Sequence, residues 1–268
     1  MALFSLFGAG NEFFILAAFA LTVWLLERDG NHCSKFLVWS CVFYKTSYLE
    51  INMFGPKIWD YYADGYENLW VQKFVLNPSR QLILKTMGEF PDTQKILDVG
   101  CGIGELCHSM SRQHPLAEII GIDTSVKMIK RAKEKFSGNN IRYICGHADS
   151  LIEDQKFDLI VSTNAFPYML DKPKALLAMK MLLKPNGRLL LLFANRNTFY
   201  DALWLMFVKL TTSKAQYLSV SSLHNLLKES GFEVGKTQSI ESLFFVPSVF
   251  MVEGILRGDN VVKEVMGE

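Results

Sequence analysis

The part of this sequence best suited to holding a ligand is a glycine-rich turn between a short apolar run and a helix-forming one. Lys95–Val99 reads KILDV and passes directly into Gly100-Cys101-Gly102-Ile103-Gly104. Glycines at such a junction let the main chain turn sharply and approach a ligand with no Cβ in the way. A second acid, Asp123, follows Gly104 by 19 residues and ends another apolar run, Glu118–Ile122. That offset is close to the ~20 residues at which a carboxylate meets a ribose. One carboxylate can accept from two adjacent ribose hydroxyls, so the pattern points to nucleotide binding. Asp123 alone would also suit the N-cap of a helix over Ser125–Lys135. Its place after the second strand favours the ligand.

Strands alternating with helices are needed to position these groups. The helix after the glycine turn shows Leu106, Met110 and His114 on one face. Strand, glycine turn, helix, strand and acid in this order fit an α/β, three-layer Rossmann-like fold with a mostly parallel sheet. Ligands of such sheets lie outside the carboxyl ends of the strands. Asn164, Ala165, Phe166, Pro167 and Tyr168, after the fourth strand, therefore stand nearest the reacting atoms. Tyr168 is the candidate catalytic residue, as a base or a hydrogen-bonding guide; its bland alternative is to pack in the wall.

ILDVGCGIGEL, from Ile96 to Leu106, resembles the first motif of the class I S-adenosylmethionine-dependent methyltransferases. IIGIDTSVKMIKRAKEK (Ile119 to Lys135), FDLIVSTNAF (Phe157 to Phe166), LLKPNGRLLLLF (Leu182 to Phe193) and SLHNLLKESGFEV (Ser222 to Val234) are similar to that family's later units, in the family's order. Asn186 stands where glycine is commoner. The subgroup most resembled is the ubiquinone/menaquinone-type small-molecule methyltransferases. The resemblance implies S-adenosylmethionine as methyl donor. It implies that Asp98 orients the glycine turn and holds the amino-acid part of the cofactor, and that Gly100, Cys101, Gly102 and Gly104 let the backbone approach it. Asp123 would take the ribose, Met128 or Thr124 and Ser125 would border the adenine, and Asn164 would stand near the methyl group. The family often has an acid after the third strand, against the adenine amino group. Here the chain reads Cys145-Gly146-His147-Ala148-Asp149, so His147 stands in the acidic place, and Asp149, two residues on, is the favoured substitute through a shift of the loop.

Methyl transfer is an in-line displacement in which proximity and orientation supply much of the acceleration, and a base is needed only if the acceptor must lose a proton. No D-P-P-Y-type motif follows the fourth strand, and no carboxylate cluster is spaced for a metal.

The 268 residues suit one substantial α/β domain with an appendage. The divisions expected are a hydrophobic helical segment at 1–50, aromatic-rich lid and linker helices at 51–91, and the methyltransferase domain at 92–268. Basic and acidic residues nearly balance at 28 and 27, with no polybasic run, which disfavours nucleic acid. Five cysteines without C-x-x-C or zinc spacing read as reduced thiols. Half the residues are hydrophobic and the mean hydropathy is +0.15, which suggests apolar surface facing something other than water.

Phe13–Leu26, FFILAAFALTVWLL, has no charge, and Phe36–Tyr44 is a second apolar run. As a helix the first would extend only about 21 Å, short of a ~30 Å hydrocarbon core. An embedded or interfacial anchor is expected, against a packing helix pair or a true span. An anchored chain would be membrane-associated, with its catalytic domain facing the cytoplasm where the cofactor is found. The aromatic group Trp59, Tyr61, Tyr62, Tyr66 and Trp70 reads as core or as a lid that excludes water. The insertion Asn195–Tyr217 and the run Leu243–Val252, interrupted by Pro247, are also apolar.

These features point to methyl transfer onto a small, lipophilic acceptor of quinone-precursor, lipid or isoprenoid type. The rival is a non-catalytic, membrane-tethered scaffold that keeps the fold. A dinucleotide oxidoreductase fits less well, because D-V-G-C-G-I-G lacks the two-residue gap before the third glycine of G-x-G-x-x-G.

Overall fold

The computed structural model describes residues 59–60, 63–68, 72–89, 95–151, 156–212, 215–240 and 247–258. Both N-terminal apolar runs lie outside these residues, as do Tyr61, Tyr62 and Trp70. No described helix is long and apolar enough to cross a membrane.

Seven strands form one sheet: β1 (Lys95–Val99), β2 (Glu118–Asp123), β3 (Ile141–Cys145), β4 (Phe157–Thr163), β5 (Leu183–Ala194), β6 (Glu233–Ser239) and β7 (Val249–Ile255). Their spatial order is β3-β2-β1-β4-β5-β7-β6. The first five strands are mutually parallel, and β7 is antiparallel to both β5 and β6. The described helices are α1 (Asn77–Met87), α2 (Glu105–Gln113), α3 (Val126–Lys135), α4 (Lys172–Leu182), α5 (Phe199–Thr212) and α6 (Val220–Glu229).

Period-two alternation sends neighbouring strand residues to opposite faces. Ile96, Ile119, Leu190 and Leu192 join Ile83, Met87, Met110 and Ile129 on the α1–α3 side. Leu97, Ile120, Leu189 and Leu191 join Leu176, Met179, Leu223 and Leu227 on the side of α4 and α6. Both faces of the sheet are thus covered, which gives the three layers expected. Strand order reverses between β1 and β4, and at this switch point a ligand crevice opens at the carboxyl ends.

Local chemistry sets several boundaries. Pro78 sits in the first turn of α1, where no N–H partner is lost. Ser125, and not Asp123, caps α3: its side chain accepts from the Met128 N–H at 3.1 Å. His114 follows the end of α2 and is not part of its buried face. Asn186 has φ 63°, so a residue tolerant of the left-handed region stands where glycine is commoner. Pro247 precedes β7 instead of interrupting it, as expected of a residue that cannot donate to the ladder.

The insertion carries helix α5, anchored by a buried acid. Asp201 accepts from the amides of Thr198 at 2.9 Å, Asn197 at 3.3 Å and Ser248 at 2.8 Å. Burial alone would raise its pKa, but these hydrogen bonds outweigh it and hold the carboxyl below its ordinary value. Asp201→Ala should lower stability by about 3 kcal/mol, as three amides lose their acceptor. Urea unfolding checks this. The carboxylate's contribution is present above the unfolded pKa and is lost as pH falls through the lower folded one. The difference from the parent protein should therefore shrink as pH falls below about 4. An unchanged gap at low pH would contradict the ionised-cap account.

Candidate functional site

The turn after β1 is shaped from within. The amides of Gly100 and Cys101 both donate to the Ile122 carbonyl, at 2.8 and 3.1 Å, and that of Gly104 donates to Cys101 O at 3.0 Å. Gly102 N–H donates to Asp123 Oδ2 at 3.0 Å, while Asp123 Oδ1 accepts from Ser125 N–H at 2.9 Å. Asp123 therefore ties the end of β2 to the glycine turn. Burial raises its pKa, and the amides of Ser125 and Gly102 pull it down.

Two glycines in this turn hold positive φ, and they border the cleft differently. Gly100 has φ +82°, and a Cβ there would lie 2.2 Å from the Ala165 Cβ in the loop after β4. Gly102, at φ +54°, faces open space, with Tyr66 Cε1 the nearest atom at 4.0 Å. The carboxyl ends of β1 and β4 thus touch at Gly100, and the floor of a cleft opens at Gly102.

This cleft opens to solvent. Asp98, Gly100, Cys101 and Gly102 line it, together with Thr163 at the end of β4. Its other side carries Tyr66, from the aromatic group read as core or lid, with Arg80 and Glu105, which sequence reasoning did not select. Arg80 on α1 pairs with Glu105 on α2 at 2.8 Å. The acid in the GIGEL motif was a signal for Glu105, because it directly follows the glycine turn at a helix start. No local pattern marked Arg80.

Asp98 is 1 % exposed, and its Oδ1 has no hydrogen-bond partner. Its Oδ2 accepts from the Cys107 thiol at 3.3 Å. Burial pushes its pKa up to about 7, against the lowering effects of Cys107 and Arg80 and with a raising one from Asp123. Thr163 Oγ1 is a second buried polar atom without a partner. Burial pushes the Cys101 and Cys107 thiols upward as well, so both stay protonated at neutral pH.

A strap of the chain preceding α1 lies along α3. Ser125 Oγ donates to Asp60 Oδ1, and the Lys127 N–H donates to the same oxygen at 3.2 Å. Glu67 pairs with Lys135 and, at 3.4 Å, with Arg131. Between these two attachments Tyr66 reaches the cleft, and Ala63 packs on Ile103 and Met128. Trp59 meets Tyr168 edge-on, with ring centroids 5.0 Å apart. The described part of this strap therefore lies over the glycine turn.

The other candidate residues lie at varied distances from the cleft. Gly104 caps α2 and packs under Tyr143. Met128 is buried beside Ile103, with Thr124 at the end of β2 nearby in sequence. Asn164 adopts φ 58° and donates to Ser79 Oγ at 3.4 Å. The Tyr168 hydroxyl lies 3.4 Å from that of Tyr217, whose pKa burial holds far above the ordinary range. Asp149 is exposed and pairs with Lys174 at 3.5 Å, and His147 is exposed as well. Among the described residues, no cluster of His, Cys, Asp and Glu could hold a metal ion.

Comparison with known proteins agrees with this geometry. The family model described as a methyltransferase domain matches residues 71–237, well over half the chain. A demethylmenaquinone methyltransferase of Thermotoga maritima is 28% identical across 74% of this chain and 87% of its own length. A malonyl-[acyl-carrier protein] O-methyltransferase of Priestia megaterium is 32% identical, but the match covers 54% of this chain and only half of that protein. Among solved structures, magnesium protoporphyrin IX methyltransferase of Synechocystis with bound SAH superposes with a TM-score of 0.60. That alignment is 18% identical and covers 75% of this chain and 98% of the other. A strand order reversing beside a glycine turn, a buried carboxylate oxygen without a partner in the cleft and a family match across both lead to one conclusion: the chain belongs to the class I methyltransferase-domain family and uses S-adenosylmethionine as methyl donor.

Proposed function

We propose that this enzyme methylates a small, lipophilic acceptor of quinone-precursor, lipid or isoprenoid type. The observation that carries this reading is the aromatic wall after β4, where Trp59, Tyr168 and Tyr217 stand together. An apolar acceptor would find ring faces there and two hydroxyls to orient it. The relative from Thermotoga maritima, named for demethylmenaquinone, supports the same class.

The residues present fit the cofactor. A buried carboxylate oxygen without a partner suits a cation, and Asp98 Oδ1 would take the ammonium of the amino-acid end. The bare main chain at Gly100, Cys101 and Gly102 would let that end lie close, and Gly104 starts the helix behind it. Asp123 would present its carboxylate to the ribose while still holding the turn. Thr124 and Met128 would border the adenine, and Asp149 would reach it only by leaving Lys174. Arg80 is placed to take the cofactor's carboxylate in exchange for Glu105. When bound, the sulfonium supplies a methyl group already activated for displacement. What the chain must add is alignment and the exclusion of water, which the strap at Tyr66 and the wall at Asn164 and Tyr168 would provide. The neutral Tyr217 hydroxyl beside Tyr168 favours a guiding role for the pair over a base.

The scaffold alternative is opposed by Asp98, since a buried acid with one oxygen left unpartnered destabilises a protein that binds nothing there. The test is transfer of a radiolabelled methyl group from S-adenosylmethionine to a detergent-dispersed demethylmenaquinol, with malonyl-acyl carrier protein as the polar comparison. Label in the quinol extract is expected. Label only in the carrier protein would overturn the lipophilic reading, and tight cofactor binding with no transfer to either would revive the scaffold.

A further inference from the structure

Helix α5 is built inside out. Among its described side chains, 199–206, the only charged one is Asp201, and it is 1 % exposed. Phe199, by contrast, is 86 % exposed, Met206 50 % and Tyr200 43 %. At roughly 100° per residue, Met206, Phe199, Leu203 and Tyr200 fall within about 120° of the outer arc, and Trp204, Asp201 and Leu205 form the inner one. A helix facing water shows the reverse distribution. The inner arc also reaches the site: Leu205 packs in the cluster that takes in Val75 and Tyr217. Tyr217 in turn meets Tyr168.

We propose that the outer arc of α5 docks on a phospholipid surface, from which the acceptor enters beside Tyr217 and Tyr168. Three observations select a bilayer as the occupant. First, the exposed Arg196 stands just before Phe199, so a cation is available to head-group phosphates beside the aromatic side chains that enter the interface. Second, the patch is small. A stable protein–protein interface uses about 20–30 residues a side, whereas one helix face suffices on a membrane. Third, Phe13–Leu26 is uncharged, so the same chain carries a further segment of matching preference in its sequence. The purpose of this surface rests on the lipophilic-acceptor reading, but its test uses no acceptor.

Hydroxyl-radical footprinting of the full-length protein, with and without vesicles of phosphatidylcholine and phosphatidylglycerol, reads these side chains directly. Vesicles should cut oxidation of Phe199, Tyr200 and Met206 at least about threefold, as insertion removes them from water. Leu116, 98 % exposed in the turn entering β2 at the opposite end of the sheet, should stay unchanged. Unchanged labelling of the three residues would overturn the proposal. So would protection that needs no vesicles and grows with protein concentration, which would assign the face to a second copy of the chain. Transfer to a detergent-dispersed quinol needs no bilayer, so failure of the docking surface and failure of the acceptor reading are separately visible.

Discussion

Asp98→Asn should weaken S-adenosylmethionine binding about a hundredfold and, in the same protein, raise the melting temperature of the cofactor-free chain above neutral pH. Removing one partner of a buried charge pair costs about 2–5 kcal/mol in binding, which sets the first magnitude. The second follows from linkage. The Asp98 pKa is raised by burial to about 7, so the folded state holds its proton where the unfolded chain has lost it. Stability linked to that proton is fully present below the unfolded pKa and is lost as pH rises through the folded one. Asn carries no such dependence. Its advantage should be absent near pH 4, grow with pH and level off above about pH 7, at a size on the order of 2–4 kcal/mol. In the parent protein, binding a cation at Asp98 below pH 7 should also release a proton. Calorimetry in buffers of different ionisation enthalpy would detect it. Equal affinity in the variant would remove Asp98 from the cofactor site, and a melting shift independent of pH would refute the buried-acid account.

Gly100→Ala should abolish cofactor binding and lower the melting temperature by about 10 °C, whereas Gly102→Ala should lose affinity with the fold intact. At Gly100 the new Cβ would meet the Ala165 Cβ at 2.2 Å in a backbone region unfavourable to L-residues. Left-handed strain costs about 1–2 kcal/mol and overpacking about 1–3 more. For a domain of this size each kcal/mol is worth about 2–4 °C. At Gly102 a methyl group enters the cleft with nothing closer than 4.0 Å, so it carries backbone strain without a clash. It would occupy the space meant for ligand. Scanning calorimetry paired with binding of S-adenosylhomocysteine separates the two effects. Two variants with the same melting temperature and the same affinity would contradict the floor-and-contact arrangement.

The elements that carry local patterns were legible in the sequence. β1 runs over the expected Lys95–Val99, because an apolar strand ending in glycines has one good reading. Asp98, Cys101 and Gly102 reach the cleft for the same reason: their places follow from one contiguous turn. What could not be read locally was the opposite wall. Arg80 arrives from α1, before the sheet begins, and its partner Glu105 lies 25 residues on. The tyrosine pair joins residues 49 apart. The capping role moved from Asp123 to Ser125 because Asp123 is already occupied by two amides, one from a different loop. Asp149 is drawn off by Lys174, a charge that only the packing of α4 brings near.

The position of β7 bears on how the chain can be made at all. It is the last described strand to be synthesised, yet it lies between β5 and β6, pairing with β5 from Arg188 to Ala194. Until Val249–Ile255 has left the ribosome, the edge of β5, with Leu189 to Phe193 destined for full burial, has no neighbour to pair with. An exposed apolar edge of that kind is a template for aggregation. Premature termination within β7 would thus leave a nascent chain for chaperones or proteases, not a weakened enzyme.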